Sequence, residues 1–121
     1  MLKLKDAIKP KEADIRKTIQ QYLNLRGIFN WRQWQGQFSV RGVPDIIGVI
    51  PNDLLKGRRK KLGRILAIEV KLPGWRCDIT RKHDLEQVRF LENIRDSGGI
   101  AFFARSVEEV EIELEKNILT R

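Results

Sequence analysis

An α/β fold in one domain over residues 1–121 is what this sequence predicts, with a mixed central sheet flanked by helices and an extra helix at its C-terminal end. Three observations lead there. Two short aliphatic runs, Asp45–Ile50 and Ile65–Leu72, flank a basic loop and predict an antiparallel pair. A helical stretch from Asp84 to Ser97 is followed by a further strand, Ile100–Ala104, which predicts a right-handed parallel crossover. A leading segment, Lys11 to Arg26, carries Ile15, Ile19, Tyr22 and Leu23 at helical spacing.

Each element has local support. Gly27 stops the first helix. Phe29 to Val40 alternates and is rich in aromatics, which suits one strand or a bent hairpin around Gly36. Pro44 stands before the Asp45–Ile50 strand, where proline is tolerated, and Pro51-Asn52-Asp53 breaks it. Pro73-Gly74 ends the second strand, and Gly98-Gly99 ends the helix that turns Leu85, Val88, Leu91 and Ile94 inward. Ser106 and Glu109 form a capping-box pattern for the last helix. The order is α-β-β-β-α-β-α.

Composition narrows the function. Hydrophobic residues make up 41% of the chain, ordinary for a globular domain, which argues against disorder. The 24 basic residues against 16 acidic ones leave a formal charge of +8. That excess favours a polyanionic partner, most often nucleic acid, and a merely soluble basic protein is the other reading of the same charge. Without an apolar run near the ~20 residues that span a bilayer, and without a signal-peptide pattern, no membrane partner is expected. The single Cys77 and single His83 cannot make an internal disulfide or a Cys/His zinc site. An intracellular, cytoplasmic protein is expected.

The informative residues are polar ones where apolar ones belong. Alternation along Ile65–Lys71 puts Ile65, Ala67, Glu69 and Lys71 on one face and Leu66, Ile68 and Val70 on the other. Taken alone, Glu69 and Lys71 read as an ion pair on a solvated strand end. Antiparallel pairing then brings Asp45 opposite roughly residues 69 to 71. Two carboxylates and an ammonium meet at one edge of the sheet. Close carboxylates repel unless a cation lies between them, and oxygen-only ligands suit Mg²⁺ or Mn²⁺. Glu12 extends the stripe of Ile15, Arg16 and Ile19, and Gln87 enters the stripe of Phe90, Leu91 and Ile94. Singly, these are a solvated first-turn acid and a hydrogen-bonded core amide; with Asp45 and Glu69 they suggest one shared site.

At this point Gly42-Val43-Pro44-Asp45 followed by Ile68-Glu69-Val70-Lys71 resembles the PD-(D/E)XK nuclease signature. The leading Glu12 helix and trailing Gln87 helix resemble its VRR-NUC branch, as a stand-alone domain of the phage or bacterial type. The likeness runs from about Lys11 to Ser106. It implies a restriction endonuclease-like αβββαβ core and Mg²⁺- or Mn²⁺-dependent hydrolysis of DNA phosphodiesters. Asp45, Glu69 and the Val70 carbonyl would bind metal. Lys71 would position or activate the attacking water. Glu12 would be an outer or second-metal ligand, and Gln87 would orient Lys71 or the phosphate. Products would carry 5′-phosphate and 3′-hydroxyl. Relatives act on branched DNA, including as Holliday-junction resolvases, and a homodimer would match two symmetric cuts. The competing readings are a non-cleaving DNA-binding module on the same fold and a subunit of a larger nuclease or repair complex.

Other residues stay open. Lys56, Arg58, Arg59, Lys60, Lys61 and Arg64 are either a solvated hairpin tip or a DNA-backbone grip. Trp31, Trp34 and Phe38 are base-stacking groups, a dimer contact or core. Nothing in the arrangement requires His83, and Cys77 reads as inert.

Overall fold

A computed structural model describes residues 11–34, 36, 41–56 and 62–118. Helix α1 spans Glu12–Leu25, strand β1 Phe29–Arg32, β2 Ile46–Ile50, β3 Arg64–Val70, helix α2 Lys82–Asp96, strand β4 Ile100–Ala104 and helix α3 Val107–Glu115, with a 3-10 turn at Asn52–Leu54. The fold is α/β: a mixed sheet in the order β1-β2-β3-β4, with three helices among the described residues. β1, β2 and β3 are antiparallel neighbours, and β3 pairs with β4 in parallel. Among the described residues no helix is long and apolar enough to cross a membrane.

The period-2 pattern of β3 separates two cores. Leu66, Ile68 and Val70 pack with Ile19 and Leu23 of α1 and Val110 and Leu114 of α3. Ala67 faces the other way, with Ile47, Ala101 and Leu91 of α2. Thus α1 and α3 cover one face of the sheet and α2 the other. Each fully buried Ile or Leu is worth roughly 1.5–3 kcal/mol over leaving it exposed. The α1/α3 face, richer in such residues, therefore supplies most of the packing energy.

Helix α1 begins with Glu12 and Asp14 in its first turn, where acids favour the positive end of the helix dipole. It ends at Gly27, whose φ of 74° suits glycine. Helix α3 is capped by Ser106, whose hydroxyl accepts the Glu109 N–H at 3.2 Å. Glu109 reaches back one residue further than a simple capping box, accepting the Arg105 N–H at 2.8 Å.

Two expectations are corrected. Among the described residues of the strand or hairpin expected from Phe29 to Val40, the strand covers Phe29–Arg32, with Gln33, Trp34 and Gly36 outside it. β1 loses its partner where β2 begins: Arg32 pairs with Ile46, and the Gln33 N–H makes one more bond to the Asp45 carbonyl at 2.8 Å. Residues 37–40, Phe38 included, lie outside the described residues. Helix α2 starts two residues earlier than its apolar pattern implied, and its buried stripe is Asp84, Gln87 and Leu91. Ile94 packs as expected, but Leu85 and Val88 are only half-buried.

Candidate active site

The last register pair of the antiparallel ladder is Ile46 with Ile68, so one step further sets Asp45 against Glu69. Two backbone N–H groups cross between the strands there. The Val70 N–H donates to Asp45 Oδ2 at 2.7 Å, and the Asp45 N–H donates to Glu69 Oε2 at 3.1 Å. Each carboxylate is thereby held by a backbone donor of the opposite strand. Burial, then the neighbouring Asp45 charge and its hydrogen bond, push the Glu69 carboxyl up to about 9, with Lys71 pulling the other way. At neutral pH Glu69 therefore keeps its proton when no cation is present.

Lys71 follows two residues on, on the same face of β3. It is buried, with Nζ 4.0 Å from Glu69 Oε1 and 5.0 Å from the centroid of the Trp75 ring. Trp75 in turn stacks on Phe103, centroids 4.7 Å apart. The aromatic face and the carboxylate fix where the ammonium sits. From α2, Gln87 Nε2 donates to Glu69 Oε1, while its Oε1 is buried with no partner among the described residues.

Sequence reasoning missed two members of this neighbourhood. Trp75 is one; the Pro73-Gly74 turn after the strand returns the chain over Lys71 and was its only signal. Asp84 is the other, buried three residues before Gln87 on the same stripe. Its Oδ2 accepts from the Asp78 N–H at 3.0 Å and from Arg81 at 2.7 Å. Burial alone pushes the Asp84 carboxyl up, but the Asp78 N–H, Arg81 and Lys71 outweigh it and hold it below the ordinary range.

Gly42 explains how α2 comes so close. Its φ is 79°, and a Cβ there would lie 2.5 Å from the Glu86 carbonyl oxygen. The segment leading to Asp45 therefore runs against the α2 backbone beside Gln87, which only glycine permits.

The donor set suits a hard divalent cation. In a strand, N–H and C=O of one residue share an edge, so the Val70 carbonyl faces the Asp45 side along with its N–H. Two carboxylates, one carbonyl and the orphaned Gln87 oxygen are all oxygen donors. Among the described residues no group of three or more His, Cys, Asp or Glu side chains is placed to hold a metal. Two acids still fit Mg²⁺, which keeps several waters and completes its shell with substrate phosphate.

Comparison with protein-family models, with curated proteins and with solved structures finds no match.

The remaining predicted residues lie elsewhere. Glu12 is exposed at the start of α1, the helix on the opposite face of the sheet from Gln87. It lies toward the same end of the sheet as the carboxylates, since a cleft there joins Asp14, Ile15 and Thr18 of α1 to Pro73. Among the described residues it makes no hydrogen bond or ion pair with the site. Arg64 sits at the far end of β3, and its guanidinium is occupied by the Gly98 carbonyl at 2.8 Å, the Gly99 carbonyl and Asn117. Lys56 Nζ donates to the Glu115 carbonyl at 2.9 Å. Both ends of the basic loop thus brace α3 and the α2–β4 turn, away from the carboxylates. Arg58, Arg59, Lys60 and Lys61 lie outside the described residues. His83 and Cys77 are exposed.

Proposed function

We propose that this chain is a Mg²⁺- or Mn²⁺-dependent endodeoxyribonuclease that hydrolyses DNA phosphodiesters, with an αβββαβ core of the PD-(D/E)XK type and closest in pattern to its VRR-NUC branch. The observation that carries the reading is the Asp45–Glu69 pair, locked across two strands with Lys71 two residues beyond. A protein that only binds DNA gains nothing from paired acids facing phosphate.

A divalent cation in this site would acidify attacking water and neutralise charge that builds on the phosphate oxygens. The chain's own residues do the rest. Asp45, Glu69 and the Val70 carbonyl hold the cation, and backbone N–H groups keep the first two from swinging away. Gln87 fixes the rotamer of Glu69 through Oε1. Lys71, steadied by Trp75, presents a positive charge beside the carboxylates, on the side from which water attacks. The formal +8 charge draws DNA to the surface. Glu12 is read as an outer ligand that reaches the site only with substrate or metal bound.

Branched DNA, Holliday junctions among it, is the proposed substrate class, cut by a homodimer inside the cell. Phe29 and Trp34 are each 70% exposed and Trp31 39% exposed on or beside the edge strand, which supports β1 as the dimer contact. The deciding experiment is cleavage of linear, flap and four-way DNA in Mg²⁺, Mn²⁺ or EDTA. Metal-dependent cutting that is lost in Asp45→Ala is expected. DNA binding with no cutting in either metal would leave a non-cleaving module instead.

A further inference from the structure

Trp75 is fastened from two sides before it reaches Lys71. Its own carbonyl accepts from Arg105 Nη1 at 3.3 Å, and Glu109 holds that guanidinium at 3.1 and 3.2 Å. The next carbonyl, that of Arg76, accepts from Arg81 Nη2 at 2.7 Å, and the same nitrogen donates to Asp84 Oδ2 at 2.7 Å. Two successive peptide units are therefore each gripped by an arginine, and each arginine by a carboxylate. The indole ring so placed stacks on Phe103 and lies 5.0 Å from Lys71 Nζ.

Asp84 is the unexpected member of this frame. It stands in the first turn of α2, where an acid ordinarily serves the free N–H groups of its own helix. Its Oδ2 instead takes the Asp78 N–H at 3.0 Å together with Arg81, both on the approach to the helix. The residue is only 4% exposed, whereas the Arg81 side chain is 54% exposed. Burying a carboxylate is costly unless it is paired and hydrogen-bonded. Here both bonds go to the segment between Lys71 and α2, so the buried acid fixes that segment. A surface arginine alone would hold the Arg76 carbonyl weakly, because its side chain has many rotamers. The carboxylate beneath it removes that freedom.

We propose that Asp84 is a positioning residue for Lys71. Through Arg81 it fixes the peptide that follows Trp75, and the Trp75 ring fixes the ammonium. Under the nuclease reading, on which this rests for what Lys71 does, the lysine charge stands at the attacking side before DNA arrives. An ammonium on a four-carbon stem otherwise samples many rotamers, and most of them misplace the charge. The Asp84–Arg81 pair thus acts on the reaction without touching substrate.

The test reads the lysine directly, by NMR in EDTA and without DNA. The Cε protons of Lys71 should resonate upfield of those of the other lysines, because the ammonium sits over the indole ring, and Trp75→Leu should abolish that shift. Asp84→Asn and Arg81→Leu should each remove most of it. Arg81→Lys should restore it, since both bonds leave from one nitrogen. In single-turnover cleavage at saturating protein, Asp84→Asn should cost about 2–5-fold, no more than the loss of the ring itself. In the Trp75→Leu background it should cost nothing further, because both changes act on one path. An unchanged Lys71 shift in Asp84→Asn and Arg81→Leu overturns the positioning role, even where the melting temperature falls. So do rate losses that add. Should Asp84→Asn not fold, Arg81→Leu decides alone, its side chain being more than half exposed. The two readings separate, because the shift is read without metal or DNA. A lost shift, with a wild type that cuts nothing in Mg²⁺ or Mn²⁺, sinks the nuclease alone. Cutting with an unmoved shift sinks the positioning role alone.

Discussion

Asp45 and Glu69 are cross-linked through backbone N–H groups of the two strands: the carboxylate of Asp45 accepts from Val70, the residue after Glu69, at 2.7 Å, and the N–H of Asp45 donates to Glu69 at 3.1 Å. Two acids that repel each other are thus fixed by the strand pairing itself. The repulsion cannot relax by rotation of either side chain without loss of a hydrogen bond to a backbone N–H. It shows instead as a proton retained on Glu69.

That proton gives a pH dependence of stability with a definite sign. Glu69 binds its proton more tightly in the fold, at about 9 against 4.5. Between those values the unfolded chain holds fewer protons, so the metal-free protein loses stability as pH rises from about 4.5 towards 9. Glu69→Gln removes the titration and should be the more stable protein at pH 9, by roughly 2 kcal/mol or more. Urea midpoints in EDTA at pH 5 and pH 9 measure this. Parallel pH profiles for the two proteins would show that Glu69 is ionised in the fold.

Metal binding should expel the Glu69 proton. Calorimetry of Mg²⁺ or Mn²⁺ binding in buffers of different ionisation heat should show proton release near neutral pH. Asp45→Ala should abolish that release, the metal-induced rise in melting temperature and DNA cleavage together. An Asp45→Ala protein that cuts DNA at the wild-type rate would remove Asp45 from the site.

Lys71 and Trp75 separate chemistry from binding. Lys71→Ala should lower the single-turnover cleavage rate by about 10²-fold or more, with little change in DNA affinity. Trp75→Leu keeps the lysine but removes the ring 5.0 Å from its Nζ. A smaller loss of rate, about 5-fold, is expected, in line with a cation–π contact worth about 1 kcal/mol. If Lys71→Ala changes only affinity, the lysine anchors phosphate and does not act in the transition state.

Gly42→Ala tests how the helix is docked. The positive φ and the 2.5 Å approach to the Glu86 carbonyl leave no room for a methyl group. The variant should lose about 1–3 kcal/mol. It should also lose cleavage at temperatures where it is still folded, because α2 must move and Gln87 with it. Unchanged stability would mean that this approach is looser than the structure has it.

The homodimer is checked by sedimentation at micromolar concentration. A mass near twice the 14.2 kDa of one chain is expected, and Trp34→Glu should reduce it. A wild-type chain that stays single while cutting both strands of a four-way junction in one encounter would exclude β1 as the contact.

Much of the site's frame was legible because β-strand alternation is strict. The parity of Glu69 and Lys71, and the position of Asp45 across from them, follow from counting along two strands. What was hidden depends on contacts distant in sequence. Arg64 reads as part of a DNA-binding loop, yet its partners are backbone carbonyls at Gly98 and Gly99, and carbonyls leave no mark in a sequence. Trp75 depends on the turn at Pro73-Gly74, not on any period. Asp84 looks like an ordinary first-turn acid until exposed Arg81 and the Asp78 N–H are seen to cover its buried carboxylate. The short reach of β1 is set by where β2 starts, and the aromatic alternation past Arg32 gave no hint of that.

The parallel pairing of β3 with β4 carries a temporal consequence. Lys71 is tied at its N–H to the carbonyl of Ala104 at 2.9 Å, and Gln87 reaches Glu69 only from a helix lodged between those two strands in the chain. A nascent polypeptide that has emerged through Val70 already contains both acids, but not the helix that clamps one of them or the strand that holds their neighbour. Pairings so far apart along the chain form late in folding. During synthesis the carboxylates therefore stay without their clamp until the stretch past Ala104 is free of the ribosome.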